Sequence, residues 1–442
     1  MTSPQPVGAH TPMTPQTSSE PAEQGKFRTL LGAGVGNTLE WYDWSVYAIF
    51  APFFASQFFV SNNPTSALLS TLAIFAAGFL MRPIGGFLFG WLADRYGRRF
   101  SLTTSMMTMA AGSMIIGIAP THQSIGVLAG LVLLIARLVQ GLAHGGEIAA
   151  SYTYIAEIAP RARRGLWSTS VYVSVTAGIV LASVIGASAS TLIGESALND
   201  WAWRVPFIVG GLLAVAGLYI RRTLQETEAF ENDRQSGAPR RTAKDILRSL
   251  GQNKRSITRV LGMSIGVTVV YYTWAVGIPG FAIANRGLDA THGLWASVVA
   301  NLFFMATLPF WGKLSDRIGR KPILITYSIA MLVLTFPLMA LVGDSAIVLL
   351  LVMMVALFFL GAFVGIMPAY FAELFPTEVR ASGVGVPYSL MVALFGGTAP
   401  YVLTWLNSHQ ISWVFSLYMT ILVAVGLLTT LFTPETRGVE LR

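Results

Sequence analysis

Twelve stretches of this chain are apolar for about 20 residues or more, the length a helix needs to cross a bilayer. They fall near 29–54, 67–93, 101–119, 124–155, 167–192, 202–220, 258–284, 293–314, 323–342, 345–371, 382–405 and 411–432. In lipid every backbone polar group must be satisfied within its own segment, so such spans are expected to be helices. Composition supports a lipid solvent: 11% of the 442 residues are charged and 54% are hydrophobic, against roughly 25% charged in a soluble domain. Cysteine is absent, which excludes a disulfide framework, a cysteine metal site and a thiol nucleophile. No metal-ligand cluster, HExxH, Walker A or nucleophile-elbow pattern occurs, so no metal or cofactor is expected and an enzyme is disfavoured.

A net charge of +8 would suggest nucleic acid in a soluble protein, but its placement gives it another meaning. Positive residues in short loops stay in the cytoplasm. With the N-terminus inside and an even number of spans, 25 of the 29 lysines and arginines lie on cytoplasmic segments; the exceptions are Arg82, Arg137, Arg204 and Arg286. The chain is therefore expected to be a multi-pass protein of the plasma membrane (a cell inner membrane) with both termini cytoplasmic and no nucleic-acid partner.

Residues 1–27, rich in Pro, Ser and Thr, are expected to form a disordered cytoplasmic tail. A six-helix bundle over 28–220, a polar linker over 221–257, a second six-helix bundle over 258–434 and a short tail over 435–442 complete the division. The halves are internally related. GWLADRYGRRFSL at 90–102 and GKLSDRIGRKPIL at 312–324 are identical at seven of thirteen positions, and AEIAPRARR at 156–164 repeats in part as AELFPTEVR at 372–380. A duplicated six-span unit is the organisation of a transporter whose site lies between two halves.

At these residues the sequence resembles the major facilitator superfamily, whose loops after the second and eighth helices carry a G-x-L-x-D-R-x-G-R-R/K pattern. GNTLEWYDWSVY at 36–47, FLMRPIGGFLFGWLADRYGRR at 79–99, RLVQGLAHGGE at 137–147 and WAWRVPF at 201–207 are similar to its metabolite:proton symporter branch. The resemblance implies an all-α membrane fold of twelve helices in two pseudo-symmetric bundles. It also implies proton-coupled symport of a small organic anion, an α-keto acid such as α-ketoglutarate or another mono- or dicarboxylate, by alternating access. Uptake of a zwitterion such as proline or betaine is the alternative, and a non-transporting nutrient receptor a distant one. A monomer is expected.

An ionisable side chain at mid-membrane costs about 3 kcal/mol or more and is usually functional. Asn37, Glu40 and Asp43 recur every three residues, which puts them on one helix face, with the acids roughly 17 to 21 Å deep at 1.5 Å per residue. Arg82 is expected at a matching depth. Arg137, Gln140, His144, Glu147, Ser151 and Tyr154 follow spacings of three and four, one polar stripe expected to line a cavity. Asp43, Glu40 and Glu147 are candidate proton acceptors, because a carboxylate among apolar walls gains proton affinity. Arg82 and Arg137, with His144, Gln140 and Asn37, are candidates to bind an organic anion; static ion pairing between helices is the competing reading. The second half offers no charge inside the membrane, only groups such as Tyr271 and Trp274, which with Trp41 and Trp44 are able to box a cationic group. The two repeated loops are expected to form a cytoplasmic latch from Asp94, Arg95, Arg98, Asp316, Arg317 and Arg320, each acid pairing with nearby arginines and capping the next helix.

Overall fold

The computed structural model describes residues 23–61, 63–96, 98–145, 147–222 and 251–441. Within them the chain is helical, and the helices assemble into twelve rods. In the first half these are Glu23–Phe58, Pro64–Leu80 continued by Arg82–Tyr96, Arg98–Ile118, Leu128–His144 continued by Glu147–Ile158, Arg164–Ile193, and Arg204–Arg222. In the second half they are Lys254–Tyr271 continued to Arg286, Ala290–Ile318, Arg320–Ala340, Ala346–Val364 continued by Met367–Glu373, Arg380–Met391 continued to Ser408, and Trp413–Leu431. These rods are numbered below as spans one to twelve.

Eight rods are long and apolar enough to cross a membrane by themselves. Thr103–Ile118, Leu128–His144 and Arg204–Ala216 supply shorter apolar helices. Span one completes the set and carries the acids Glu40 and Asp43. Its helix starts at Glu23, inside the stretch expected to be a tail, because no proline follows Pro21 until Pro52. Most of the linker, residues 223–250, lies outside the described residues.

The breaks in the rods have local causes. Span two interrupts its helix at Met81, and span four breaks after His144 at a glycine pair. These two breaks lie side by side because glycines let the backbones touch. A Cβ added at Gly85 would collide with the backbone of Leu142, and one at Gly145 with the carbonyl of Arg82. Such small-residue contacts replace hydrophobic driving force between helices in lipid. Two further interruptions, over Tyr272–Gly277 in span seven and Val392–Gly396 in span eleven, are single π-helical turns. Turns of this kind concentrate at functional sites.

Span five packs along spans one and eight and thereby joins the halves. The end that carries the repeated loops is closed by ionic contacts. At the opposite end Ser190 Oγ lies 2.6 Å from Thr291 Oγ1, and Trp295 Nε1 donates to Thr191 Oγ1 at 3.1 Å. A cavity of about 20 Å³ between Ala48, Leu68, Gly280 and Pro400 lies there, whereas a larger one, about 560 Å³, sits at the loop end beside Arg161, Glu373 and Glu440. Between the two ends lie the buried side chains described next.

Candidate functional site

Span one presents Glu40, Trp41, Asp43 and Trp44 to the centre of the molecule, all buried. Glu40 pairs with His144 Nδ1 of span four. Asp43 Oδ2 accepts a hydrogen bond from Gln140 Nε2 at 2.7 Å, and the same nitrogen donates to Ser113 Oγ of span three at 2.9 Å. Gln140 Oε1 in turn accepts from Arg137 Nη1 at 2.9 Å. Acids of span one and bases of span four are thus matched, one pair directly and one through an amide.

Trp44 is the centre of this arrangement. The guanidinium carbon of Arg137 lies 4.0 Å from its ring and that of Arg82 4.2 Å, while His144 stacks on it at 5.1 Å with planes 16° apart. Arg137 also lies over Tyr47 and Arg82 over Phe79. Cation–π contact of this kind partly compensates a desolvated guanidinium.

Arg82 has no acidic partner within ion-pair distance among the described residues. It is 1% exposed, its Nη1 makes one long bond of 3.5 Å to the hydroxyl of Tyr272, and its Nε and Nη2 have no hydrogen-bond partner. A buried cation left so is costly unless an anion joins it. Facing it from the second half is an aromatic wall. Trp41 meets Tyr271 edge-on at 5.8 Å and stacks on Tyr272 at 6.1 Å, and the hydroxyls of Tyr172 and Tyr388 lie 3.2 Å apart. The Tyr271 hydroxyl and Trp274 Nε1 are buried without partners.

Several expectations change. Asn37 faces span five rather than the site, its amide donating to Val171 C=O at 3.2 Å and Ser174 Oγ at 2.7 Å. The expected polar stripe of span four is interrupted: the helix breaks at Gly145, and beyond it Tyr152 is buried and Tyr154 exposed. The side chain of Glu147, like those of Asp94 and Arg98, lies outside the described residues. Ser113 joins the centre although the sequence pattern did not single it out, and Tyr272 joins it beside Tyr271; Trp44, expected in an aromatic box for a cationic ligand, instead contacts the protein's own Arg82 and Arg137.

The loop end also departs from expectation. Asp316 pairs with Arg320 at 2.7 Å, yet it does not cap its own next helix. Its two oxygens accept from the backbone N–H groups of Gly165 and Leu166, at 2.8 and 2.9 Å, and so cap span five of the other half. The cap of span nine is Glu435, which accepts from the backbone N–H of Arg320, Lys321, Thr436 and Arg437. Burial pushes the Glu435 carboxyl up, but these four donors outweigh it and hold it below the usual carboxylate range. Arg320 is buried, so its pairs are not the surface pairs expected. Arg317 is exposed, and Arg95 lies exposed against Trp91 and Tyr96 at 5.5 and 5.6 Å.

The partial repeat at 156–164 and 372–380 gains a meaning here. Its members pair crosswise: Arg164 of the first copy meets Glu373 of the second at 3.0 Å, and Arg380 of the second meets Glu157 of the first at 2.7 Å. Residues after span twelve extend this seam, since Arg164 donates to Val439 C=O and Arg161 pairs with Glu440.

Two six-helix halves packed around a buried charged centre are the organisation of a multi-pass membrane transporter. The chain belongs to the Major Facilitator Superfamily, whose family model matches residues 33–386 and again 263–442. It is 36% identical over 406 residues to the alpha-ketoglutarate permease of Escherichia coli, covering 91% of this chain and 92% of that one. It is 32% identical over 433 residues to a glycine betaine/proline/ectoine/pipecolic acid transporter of Dickeya dadantii, covering 95% and 86%. A solved D-xylose-proton symporter superposes with a TM-score of 0.70 over 93% of this chain and 99% of that one, at 20% identity, which shows the shared fold.

Proposed function

We propose that this transporter is a proton-coupled symporter of a small organic anion, with both termini cytoplasmic. The observation that carries the reading is Arg82: a fully buried guanidinium, faced by hydroxyls, whose Nε and Nη2 are unpartnered. A carboxylate docked on that fork would supply the missing acceptors in a bidentate, charge-assisted geometry. Asp43 is the proposed proton carrier, and Glu40 with His144 a second titratable pair beside it. A proton on the acid side and an anion on Arg82 together neutralise the centre, which lowers the cost of exchanging its faces across lipid. The crosswise pairs and the two acidic caps at the loop end act as the inner latch, which must part for cytoplasmic release.

Similarity to the alpha-ketoglutarate permease supports a dicarboxylate or α-keto acid as the substrate class. The second reading, a zwitterion, is favoured by the cluster of Trp41, Tyr271 and Tyr272, whose faces suit an ammonium group. Against it, Glu40 and Asp43 already engage His144 and Gln140.

The test is uptake of labelled 2-oxoglutarate into proteoliposomes under an inward proton gradient, with citrate, proline and betaine as competitors. Gradient-dependent uptake blocked by citrate and not by proline or betaine is expected. Uptake indifferent to the gradient, or inhibition by the zwitterions alone, refutes the anion symport. Counterflow of labelled ligand separates a transporter of these solutes from a receptor.

A further inference from the structure

Gln140 has a role that the proposed symport leaves unexplained. A primary amide has two N–H donors and one carbonyl acceptor. Here the oxygen faces Arg137 at 2.9 Å, while the nitrogen serves Asp43 at 2.7 Å and Ser113 at 2.9 Å. The side chain is fully buried, and both of its donors are engaged inside the protein. Asp43 and Arg137 make no direct ion pair; the amide joins them. Its stem is accommodated by the neighbouring helix, because a methyl group at Gly112 would collide with Gln140 Cγ.

We infer that Gln140 is a positioning residue, not a substrate ligand: it links Asp43 and Arg137 into one neutral unit through which a proton on Asp43 is felt by the anion at Arg82. The inference rests on the proposed symport and deepens it. With Asp43 ionised, its charge balances Arg137 through an amide whose oxygen faces the cation and whose N–H faces the anion. When a solution proton binds an Asp43 oxygen, the unit becomes net positive. The excess charge sits on Arg137, whose Cζ lies 4.0 Å from the same Trp44 that Arg82 contacts at 4.2 Å. An Arg137 whose charge Asp43 no longer offsets raises the affinity for an anion at Arg82, and by linkage the anion raises the affinity for the proton. Amide separation also matters, because a direct Arg–Asp contact would hold the acid ionised.

Other groups around Asp43 are accounted for. Span one adds Glu40, Tyr42 and Tyr47, whose hydroxyls donate to the carbonyls of Pro206 and Thr71. Arg82 of span two and His144 of span four lie against the neighbouring Trp44. Span three presents uncharged Ser113 and span six the backbone of Gly210, while Tyr272 of span seven bonds to Arg82. None of these connects Asp43 to Arg137.

The experiment compares wild type, Gln140→Met and Asp43→Asn in proteoliposomes with labelled 2-oxoglutarate, citrate, proline and betaine. Two readouts are taken: accumulation driven by an inward proton gradient, and counterflow at equal pH. In Gln140→Met, accumulation is expected to fall about tenfold or more while counterflow falls less than about threefold, the same split as in Asp43→Asn. Parallel loss of both means a ligand or scaffold role and overturns the inference, as does undiminished accumulation. If Gln140→Met does not fold, Gly112→Ala, which displaces the stem and keeps the amide, must show the split in weaker form. The anion reading fails separately, when wild type exchanges only zwitterions; the split is then read on the zwitterion. A readout without any probe is the infrared carboxyl band that Asp43→Asn removes: its titration midpoint must move by about one pH unit or more in Gln140→Met, and an unmoved midpoint overturns the inference.

Discussion

The two halves share a fold and an internal repeat, and both bury charge at the loop end, yet they differ at the centre. In the first half Glu40, Asp43, Arg82, Arg137 and His144 cluster mid-membrane. In the second half the same level holds Tyr271, Tyr272, Trp274 and Tyr388, and the buried charges Arg320, Glu373 and Arg380 lie at the loop end. Among the described residues the repeated segments pair across both halves at the loop end, whereas the central charged cluster lies in the first half. In the proposed site the first half would bind charge, against a wall of hydroxyls and rings from the second.

The sharpest way to break the comparison is to remove the unbalanced charge. Arg82→Ala should reduce anion uptake about 100-fold or more, since two charge-assisted hydrogen bonds are lost. Binding that survives within about tenfold of wild type in a filter or thermal-shift assay moves the anion site elsewhere.

The next largest difference concerns packing. Gly85→Ala in the first half drives a methyl into the Leu142 backbone, whereas Gly396→Ala in the second meets the rings and methyls of Tyr272 and Thr268. The first substitution should destabilise by about 1–3 kcal/mol and the second by less, because side chains yield and a packed backbone does not. Thermal unfolding in detergent checks the order; equal losses would show that spans two and four tolerate separation.

A smaller effect is expected on the uncharged wall. Tyr272→Phe removes the hydroxyl that faces Arg82 at 3.5 Å, and anion affinity should fall only about threefold to tenfold, as for one neutral donor. A loss as deep as that of Arg82→Ala would make the second half an equal partner in recognition.

The smallest effect belongs to the tail. Glu435 is held ionised by four backbone N–H donors, so its folded-state proton affinity is depressed. Its cap therefore stabilises above the ordinary glutamate range, near pH 4, and is lost as pH falls through the lower folded-state value. The Tm difference between wild type and Glu435→Gln should be largest near neutrality and close on acidification. A difference constant with pH would show that the cap acts through packing.

Much of this was legible in the chain. Span count, duplication and the unusual acids and arginines follow from hydropathy and spacing, because lipid leaves so few solutions for backbone and charge. Arg82, Asp43 and Arg137 were recognisable for the same reason. Asn37 was not separable from them, since a helix face shared with Glu40 and Asp43 still divides between two neighbours. Nor does spacing survive a break, as Tyr152 and Tyr154 show beyond Gly145.

By itself, then, the sequence determined that this is a twelve-span, twofold-repeated membrane protein with its ionisable residues concentrated in one half, since those properties are local or periodic. Only the tertiary structure decided which charges meet: Asp43 with Arg137 through Gln140, Arg164 with Glu373, Arg380 with Glu157, Asp316 with a helix of the opposite half, and Arg82 with no acid among the described residues. Each is a contact between residues far apart in the chain, chosen by how helices rotate and approach one another. No one-dimensional pattern records that rotation.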